Sequence, residues 1–245
     1  MNTLVILAIG LSVLSMVSGM LGLGVAFSAV PFLGLFLPDL VHQVQPLSLL
    51  LNGITALFAV FGFARSGLVD WRKAITLAVI TTLTAPAGAY LVQFVDQVYV
   101  WFAYLASVLY LSYRLFRPVQ ERPGQENFRL ALILAVPISV LSGFLGIGPG
   151  FLLMPTLIIV GFNTKMAAGI NAFAVCPPSF SSLIPHIGTA QWDFNLTVTL
   201  LIVGAAGSFI GARLTSLYVP SGRLKQIFGI LIVVMTAYKI TTLFG

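Results

Sequence analysis

Long apolar runs separated by short polar segments make up most of this chain. A helix needs about 20 apolar residues to cross a bilayer. Runs of about that length predict six membrane-spanning helices, at residues 44–64, 74–95, 98–116, 166–187, 196–219 and 227–244. In the fourth of these, we expect the helix to be broken by Pro177–Pro178 and by Pro185.

Two further apolar regions, residues 3–37 and 129–160, are interrupted by glycine clusters. At about 1.5 Å per residue, each would measure roughly 50 Å as one helix, whereas the bilayer core is about 30 Å thick. We therefore expect each region to fold back at its glycines into a hairpin. The pattern leaves open whether a hairpin is re-entrant or consists of two short full crossings.

The two halves of the chain repeat each other. The segment SMVSGMLGLGVAFSAVP, residues 15–31, is matched by SVLSGFLGIGPGFLLMP, residues 139–155. Later landmarks recur in the same order: Asn52 with Asn171, Arg65 and Gly67 with His186 and Gly188, and Gly88 with Gly211. The shared order of glycine, proline and asparagine indicates a duplication. It predicts a first membrane repeat at 1–117, a linker at 118–128 and a second repeat at 129–245, which together form one transport domain.

Charge placement gives the orientation of the repeats. We place the linker in the cytoplasm and let each hairpin start and end on the same side of the membrane. In this arrangement, Lys239 alone lies on the side that the positive-inside rule disfavours. Corresponding loops then lie on opposite faces. The predicted fold is an all-α integral membrane protein, an inverted-topology repeat in which each half is a glycine-broken hairpin plus three transmembrane helices. Both termini are expected outside the cytoplasm, in a multi-pass protein of the plasma membrane.

Composition supports lipid as the main solvent. Hydrophobic residues make up 59% of the 245 residues and charged residues only 7%, with a mean hydropathy of +1.06. Soluble domains carry about 25% charged residues. The net charge of +6 comes from basic residues beside apolar runs, which fits anionic lipid and gives no indication of nucleic-acid binding.

The glycine clusters are the first candidate site. A helix broken inside the membrane leaves backbone N–H groups unpaired, and helix N-termini favour anions. Helices starting near Val25 and Phe151 would direct two such termini toward the middle of the membrane. The candidate substrate-binding residues here are Gly22, Gly24, Gly146 and Gly148. The alternative is close helix packing, which we expect of Gly207 and Gly211.

Matched polar residues add to this site. Asn52 and Asn171 lie inside apolar spans, and we include both as candidate ligands, although an interhelical hydrogen bond is the alternative role. Ser48 and Ser179 lie near them, and their hydroxyls could bind an oxyanion or their own helix backbone. Arg65 and His186 are candidate gating residues near span ends. The alternatives are a snorkelling arginine and an interfacial histidine.

Other kinds of chemistry have no support in the sequence. No Asp or Glu lies in the middle of a predicted span, and there is no GxxxxGK[ST], no HExxH and no Cys/His cluster. We therefore predict no metal, no cofactor and no enzymatic activity.

In these segments the chain resembles the sulfite exporter TauE/SafE family. The paired SGxLGxG…P motifs, the asparagine in the following span and the loop Gly67–Trp71 carry the resemblance, which extends over residues 17–240. It implies transport of sulfur-containing anions such as sulfite, thiosulfate or organosulfonates, often outward. The matching motif positions are Gly22, Gly24, Pro31, Asn52, Gly146, Gly148, Pro155 and Asn171.

The sequence thus predicts a secondary carrier that works by alternating access, with a small anion and the lipid bilayer as its partners. An anion channel is the first alternative. A membrane-bound enzyme and a structural subunit of a larger complex are the others.

Overall fold

The computed structural model describes residues 3–116 and 126–218, with residues 233, 234, 237, 238 and 241 near the C-terminus. These ranges contain nine α-helices. They are α1 Thr3–Leu21, α2 Ala26–Leu33, α3 Gln45–Ala64, α4 Trp71–Leu91, α5 Gln97–Phe116, α6 Phe128–Leu145, α7 Gly150–Ile159, α8 Thr164–Leu183 and α9 Phe194–Leu217. The five C-terminal positions are helical. The rest of the predicted span 227–244, and residues 117–125 around the linker, lie outside the described residues.

The described chain is all-α and built for a membrane, as predicted. Six of its helices are long and apolar enough to cross a bilayer. They are Thr3–Leu21, Leu40–Ala64, Trp71–Phe94, Phe128–Leu145, Thr164–His186 and Phe194–Leu217. Three of these ranges include a short continuation of a helix: a π-helical turn at Leu40–Val44 before α3, a 3₁₀ turn at Val92–Phe94 after α4 and a 3₁₀ turn at Ile184–His186 after α8.

Both glycine-rich regions form the expected hairpins, with arms of unequal length. In the first, the 19-residue α1 is followed by the 8-residue α2; in the second, the 18-residue α6 is followed by the 10-residue α7. The second hairpin returns to its starting side, because Asn127 N donates to Val160 O at 2.8 Å. The first also folds back on itself, since the ring of Phe32 lies against Gly10 in α1.

One prediction about α8 was wrong. The helix runs without interruption through Pro177–Pro178 and ends only before the 3₁₀ turn Ile184–His186, which contains Pro185. Pro178 has no N–H for the carbonyl of Ala174 one turn earlier. Thr81 Oγ1 of α4 lies 3.1 Å from that carbonyl and 2.9 Å from Leu77 O of its own helix, so a neighbouring helix offers a donor to the group that proline leaves free.

Helices α3 and α8 cross in an antiparallel sense at the centre of the bundle. Asn52 contacts Ser179 at the crossing, Gly53 lies against Phe180, and further along Leu68 contacts Gly169. Because residue numbers rise along one helix as they fall along the other, the start of α3 lies beside the end of α8.

Two pairs of parallel helices flank this centre, α1 with α9 and α6 with α4. A Cβ on Gly211 of α9 would overlap the backbone of Met16 in α1, and a Cβ on Gly88 of α4 would overlap the backbone of Val140 in α6. Gly88 matches Gly211 in the sequence repeat, and Met16 matches Val140. The same close contact therefore occurs twice, each time between a helix of one half and the hairpin of the other.

The two ends of the bundle differ in charge. Every Lys and Arg whose side chain the structure describes lies at the end where α3 finishes and α8 starts: Arg65, Arg72, Lys73, Arg129, Lys165 and Arg213. Cross-contacts place them together, since Lys73 Nζ lies 4.7 Å from the Phe162 ring centroid and Arg213 Nη1 donates to Ser66 Oγ at 3.2 Å. We call this the basic end. At the opposite end the described charged groups are Asp39, Asp96 and Asp193, with His42.

Candidate functional site

The two glycine turns, residues 22–25 and 146–149, have the same backbone. Gly22 and Gly146 adopt φ of +63° and +68°, and Gly24 and Gly148 adopt +71° and +67°. In the first turn, Leu23 N donates to Ser18 O at 3.1 Å; in the second, Ile147 N donates to Ser142 O at 3.1 Å. This is the hydrogen bond of a helix C-terminus that closes on a left-handed glycine. Gly22 and Gly146 are therefore required by the way α1 and α6 end.

A polar stripe on α3 faces these turns. Gln45, Ser48, Asn52 and Thr55 recur every three or four residues, so they share one face of the helix, and all four side chains are buried. Gln45 lies against Gly146, and Asn52 lies against both Gly24 and Gly148. The predicted residues Gly24, Gly148, Asn52 and Ser48 thus lie along one helix face.

The first turn is tied to α3 through the start of α2. Ala26 N donates to Asn52 Oδ1 at 2.9 Å, and Val25 N donates to Thr55 Oγ1 at 3.2 Å. These two side chains take the place of a cap at the α2 N-terminus, where amides have no partner within the helix. Thr55 lies three residues after Asn52, a helical spacing that places both side chains on this face.

The start of α7, which follows the second turn, is held from α8. Asn171 Nδ2 donates to Gly22 O at 2.6 Å and to Gly150 O at 3.2 Å, so one side chain links the first turn to α7. Because both partners are carbonyl oxygens, the nitrogen of the carboxamide must point toward them. Its oxygen has no hydrogen-bond partner among the described residues.

The two turns lie directly against each other. A Cβ built on Gly150 would come within 2.5 Å of Leu23 O, and the rings of Phe27 and Phe151 stack with their centroids 5.1 Å apart. Both turns are fully buried. The structure therefore brings the start of α2 and the start of α7 together at the α3–α8 crossing.

Asn52 also joins the halves through a second contact. Its Nδ2 donates to Ser179 Oγ at 2.8 Å, and Ser179 Oγ donates to Val175 O of its own helix at 2.7 Å. The serine hydroxyl is thus fully engaged as donor and acceptor. Ser48 differs, because its buried Oγ has no partner among the described residues.

Comparison with known proteins agrees with this architecture. The family described as Sulfite exporter TauE/SafE matches residues 6–239. The chain belongs to the sulfite exporter TauE/SafE family.

Curated relatives cover nearly the whole length of this TauE/SafE chain. A "Probable membrane transporter protein" of Xylella fastidiosa (strain Temecula1 / ATCC 700964) is 29% identical over 243 residues, covering 91% of this chain and 89% of the relative. The "Probable membrane transporter protein YdhB" of Bacillus subtilis (strain 168) is 25% identical over 216 residues, covering 83% and 87%. No solved structure matches the chain.

The two candidate gating residues of this TauE/SafE protein lie away from the turns, at opposite ends of the bundle. Arg65 follows the last residue of α3 at the basic end, where its guanidinium lies 5.5 Å from the Phe209 ring centroid. His186 ends the 3₁₀ turn after α8, is fully buried and has its Nδ1 2.8 Å from Gln93 Nε2. Neither residue contacts a glycine turn in the described hydrogen bonds and ring contacts.

A pocket of about 410 Å³ opens near His186, lined in part by Asp39, His42, Gln93 and Gln97. Asp39 accepts hydrogen bonds from the amides of Val41 and His42 and pairs with the His42 ring at 2.8 Å. Partial burial acts to raise the pKa of Asp39, but the hydrogen bonds and charge of His42 outweigh it, so this pKa is lowered.

Within the described residues, no group of three His, Cys, Asp or Glu side chains could hold a metal ion.

Proposed function

We propose that this chain is a secondary transporter that moves a small sulfur-containing anion, such as sulfite, thiosulfate or an organosulfonate, across the plasma membrane by alternating access. The observation that carries the proposal is the meeting of the two glycine turns at the α3–α8 crossing. There the N-termini of α2 and α7 approach each other, and helix N-termini favour negative charge. The family and the printed names of the relatives are those of membrane transporters.

We further propose that the two halves are related as inverted repeats. Support comes from α3 and α8, which match in sequence and run antiparallel, and from the paired contacts Gly211–Met16 and Gly88–Val140. In transporters of this kind the substrate lies near mid-membrane at the interface of the repeats, and one substructure moves against the other. The glycine turns occupy that interface here.

We infer the orientation and the direction of transport from charge. We place the basic end in the cytoplasm, because Lys and Arg are enriched on that side of membrane proteins. An anion leaving a cell whose interior is negative gains about 2.3 kcal/mol per charge for each 100 mV. Export would therefore run without a coupling ion.

The test is flux into or out of proteoliposomes that contain the purified protein. We expect saturable flux of sulfite or a small organosulfonate, and its loss in Gly148→Ala, whose new Cβ would overlap Asn52. The control is Gly67→Ala, which has the same kind of positive φ of +68° but no neighbouring atom within 4 Å. Flux that Gly148→Ala leaves unchanged would contradict a site at the turns, and unitary currents in a planar bilayer would indicate a channel.

A further inference from the structure

The start of α7 lacks the hydrogen bonds that close the start of α2. In the sequence repeat, Pro149 replaces Val25 and so has no N–H, and Ala174 replaces Thr55 and so has no hydroxyl. Asn171 replaces Asn52, but it turns its nitrogen toward the carbonyls of Gly22 and Gly150. The side-chain cap of α2 therefore has no counterpart at α7.

Backbone N–H groups at the start of α7 are therefore buried without a hydrogen-bond acceptor in the described part of the chain. The hydrogen bonds of the described residues include none from the amides of Gly148, Gly150 or Phe151, and all three residues are buried. Buried N–H groups are almost always paired in native proteins. Three unpaired amides at one helix start indicate a ligand that accepts hydrogen bonds.

Several buried side-chain atoms without partners among the described residues lie near the second turn and the start of α7, among them Ser48 Oγ, Asn171 Oδ1 and Gln45 Oε1. Ser48 lies between Gln45 and Asn52, which contact Gly146 and Gly148, so its free hydroxyl is on the side of α3 that packs against the second turn. Asn171 Oδ1 belongs to the carboxamide bound to Gly150 O and is likewise unpaired and fully buried. The serine can donate a hydrogen bond, whereas the amide oxygen can only accept one.

The charged residues of the protein also limit which ion can bind at the second turn. All described Lys and Arg side chains lie at the basic end, so no described cation neutralises an ion at the second turn. The cost of taking an ion out of water grows with the square of its charge, so a dianion would cost about four times as much as a monoanion. Backbone dipoles and one hydroxyl suit a single negative charge.

We propose that the start of α7, with Ser48 and Asn171, binds the transported ion, and that this ion is a singly charged oxyanion that still carries one proton. The inference rests on the proposed transport function. The oxygens of the ion accept hydrogen bonds from the free amides and from Ser48, and its proton is donated to Asn171 Oδ1. Hydrogen sulfite has this chemistry; sulfate is doubly charged, and methanesulfonate has a single charge but no proton.

The experiment measures flux in proteoliposomes with equal pH on both sides, at a series of pH values through the second ionisation of sulfite. Protein-free liposomes correct for passive leak. We expect sulfite flux to fall in proportion to the hydrogen sulfite fraction as pH rises, sulfate flux to stay at background, and methanesulfonate flux to be slower than that of hydrogen sulfite and constant with pH. Because methanesulfonate keeps its charge, it reports any titration of the protein itself.

The outcomes separate the two proposals. Sulfite flux that is flat or rises with pH, or sulfate flux as fast as that of sulfite, would overturn the inference and leave the transport function standing. Flux of none of these ions would overturn the transport function itself.

A pair of variants tests whether Ser48 binds the transported ion. Ser48→Ala should lower sulfite flux by about tenfold or more, because a hydrogen bond to a charged group is lost, with no loss of thermal stability. Ser107→Ala is the control, since that hydroxyl only donates to Ala103 O of its own helix. Equal flux in the two variants would remove Ser48 from the site.

Discussion

Asn52 and Asn171 are matched residues of the sequence repeat that hold opposite kinds of partner. Asn52 presents its oxygen to Ala26 N at 2.9 Å, whereas Asn171 presents its nitrogen to Gly22 O at 2.6 Å. One asparagine therefore satisfies a donor at the start of α2, and the other satisfies acceptors at the start of the first turn and in α7. The duplicated positions have taken on different tasks, which makes the buried site asymmetric.

Replacing Asn52 should destabilise the protein. In Asn52→Ala, the buried Ala26 N–H loses its acceptor, which costs about 1–3 kcal/mol of the free energy of unfolding. Thermal unfolding in detergent measures the loss. Asn195→Ala is the control, since Asn195 is an exposed residue in the first turn of α9. A melting temperature equal to that of the control would show that the Asn52 cap contributes nothing.

The hairpins were predictable from sequence because the cause of each break is local. Gly22 and Gly146 take a positive φ that other residues disfavour, and their spacing repeats with a constant offset. The continuity of α8 was not predictable in this way. It involves contacts with distant parts of the chain, such as that of Thr81, which lies 93 residues from the carbonyl of Ala174 within its reach.

The candidate site was predictable in part, for the same reason. Conformation and helix periodicity place Gly24, Gly148, Asn52 and Ser48 along one face, and the repeat pairs Asn52 with Asn171. Which atom of each asparagine meets which partner depends on the packing of four helices. The engagement of Ser179, in contrast to the free hydroxyl of Ser48, likewise required the structure.

A glycine-to-alanine series should separate backbone strain from close packing. Gly188→Ala should be neutral, because its φ is not positive and nothing lies within 4 Å of the new Cβ. Gly67→Ala should cost about 1–2 kcal/mol from its positive φ alone. Gly22→Ala should cost clearly more, since its Cβ would also overlap Ala168 O. Melting temperatures that do not fall in this order would contradict the assigned packing of the first turn.

The duplicated helix contacts give an internal comparison. Gly88→Ala and Gly211→Ala should destabilise the protein by similar amounts, because each new Cβ would overlap the backbone of a parallel neighbour. Overpacking of this kind costs about 1–3 kcal/mol or more. Gly204→Ala is the milder control, since its Cβ would lie 3.2 Å from the Thr55 methyl group. Destabilisation confined to one of the two variants would contradict equivalent contacts in the two halves.

Lowering the pH should remove the contribution of Asp39 to the stability of the folded protein. Its pKa is lowered in the folded protein, so its contribution is complete above the unfolded value near 3.8 and is lost as pH falls through the lower folded value. The melting-temperature difference between the native protein and Asp39→Asn should therefore shrink over that acidic range. Asp193→Asn, which alters the aspartate that caps α9 through Leu196 N, controls for a general effect of acid on helix caps. A difference that stays constant with pH would contradict the assignment.

The orientation of the bundle can be tested at two matched glycines. Gly67 follows α3 at the basic end and Gly188 follows α8 at the opposite end; both are exposed, with open space around a new side chain. In a background that carries Cys176→Ala, we expect a membrane-impermeant maleimide to label Gly188→Cys in intact cells. Gly67→Cys should react only after permeabilisation, because the positive-inside rule places the basic end in the cytoplasm. The reverse pattern would invert the topology, and labelling of both from outside would rule out antiparallel spans at α3 and α8.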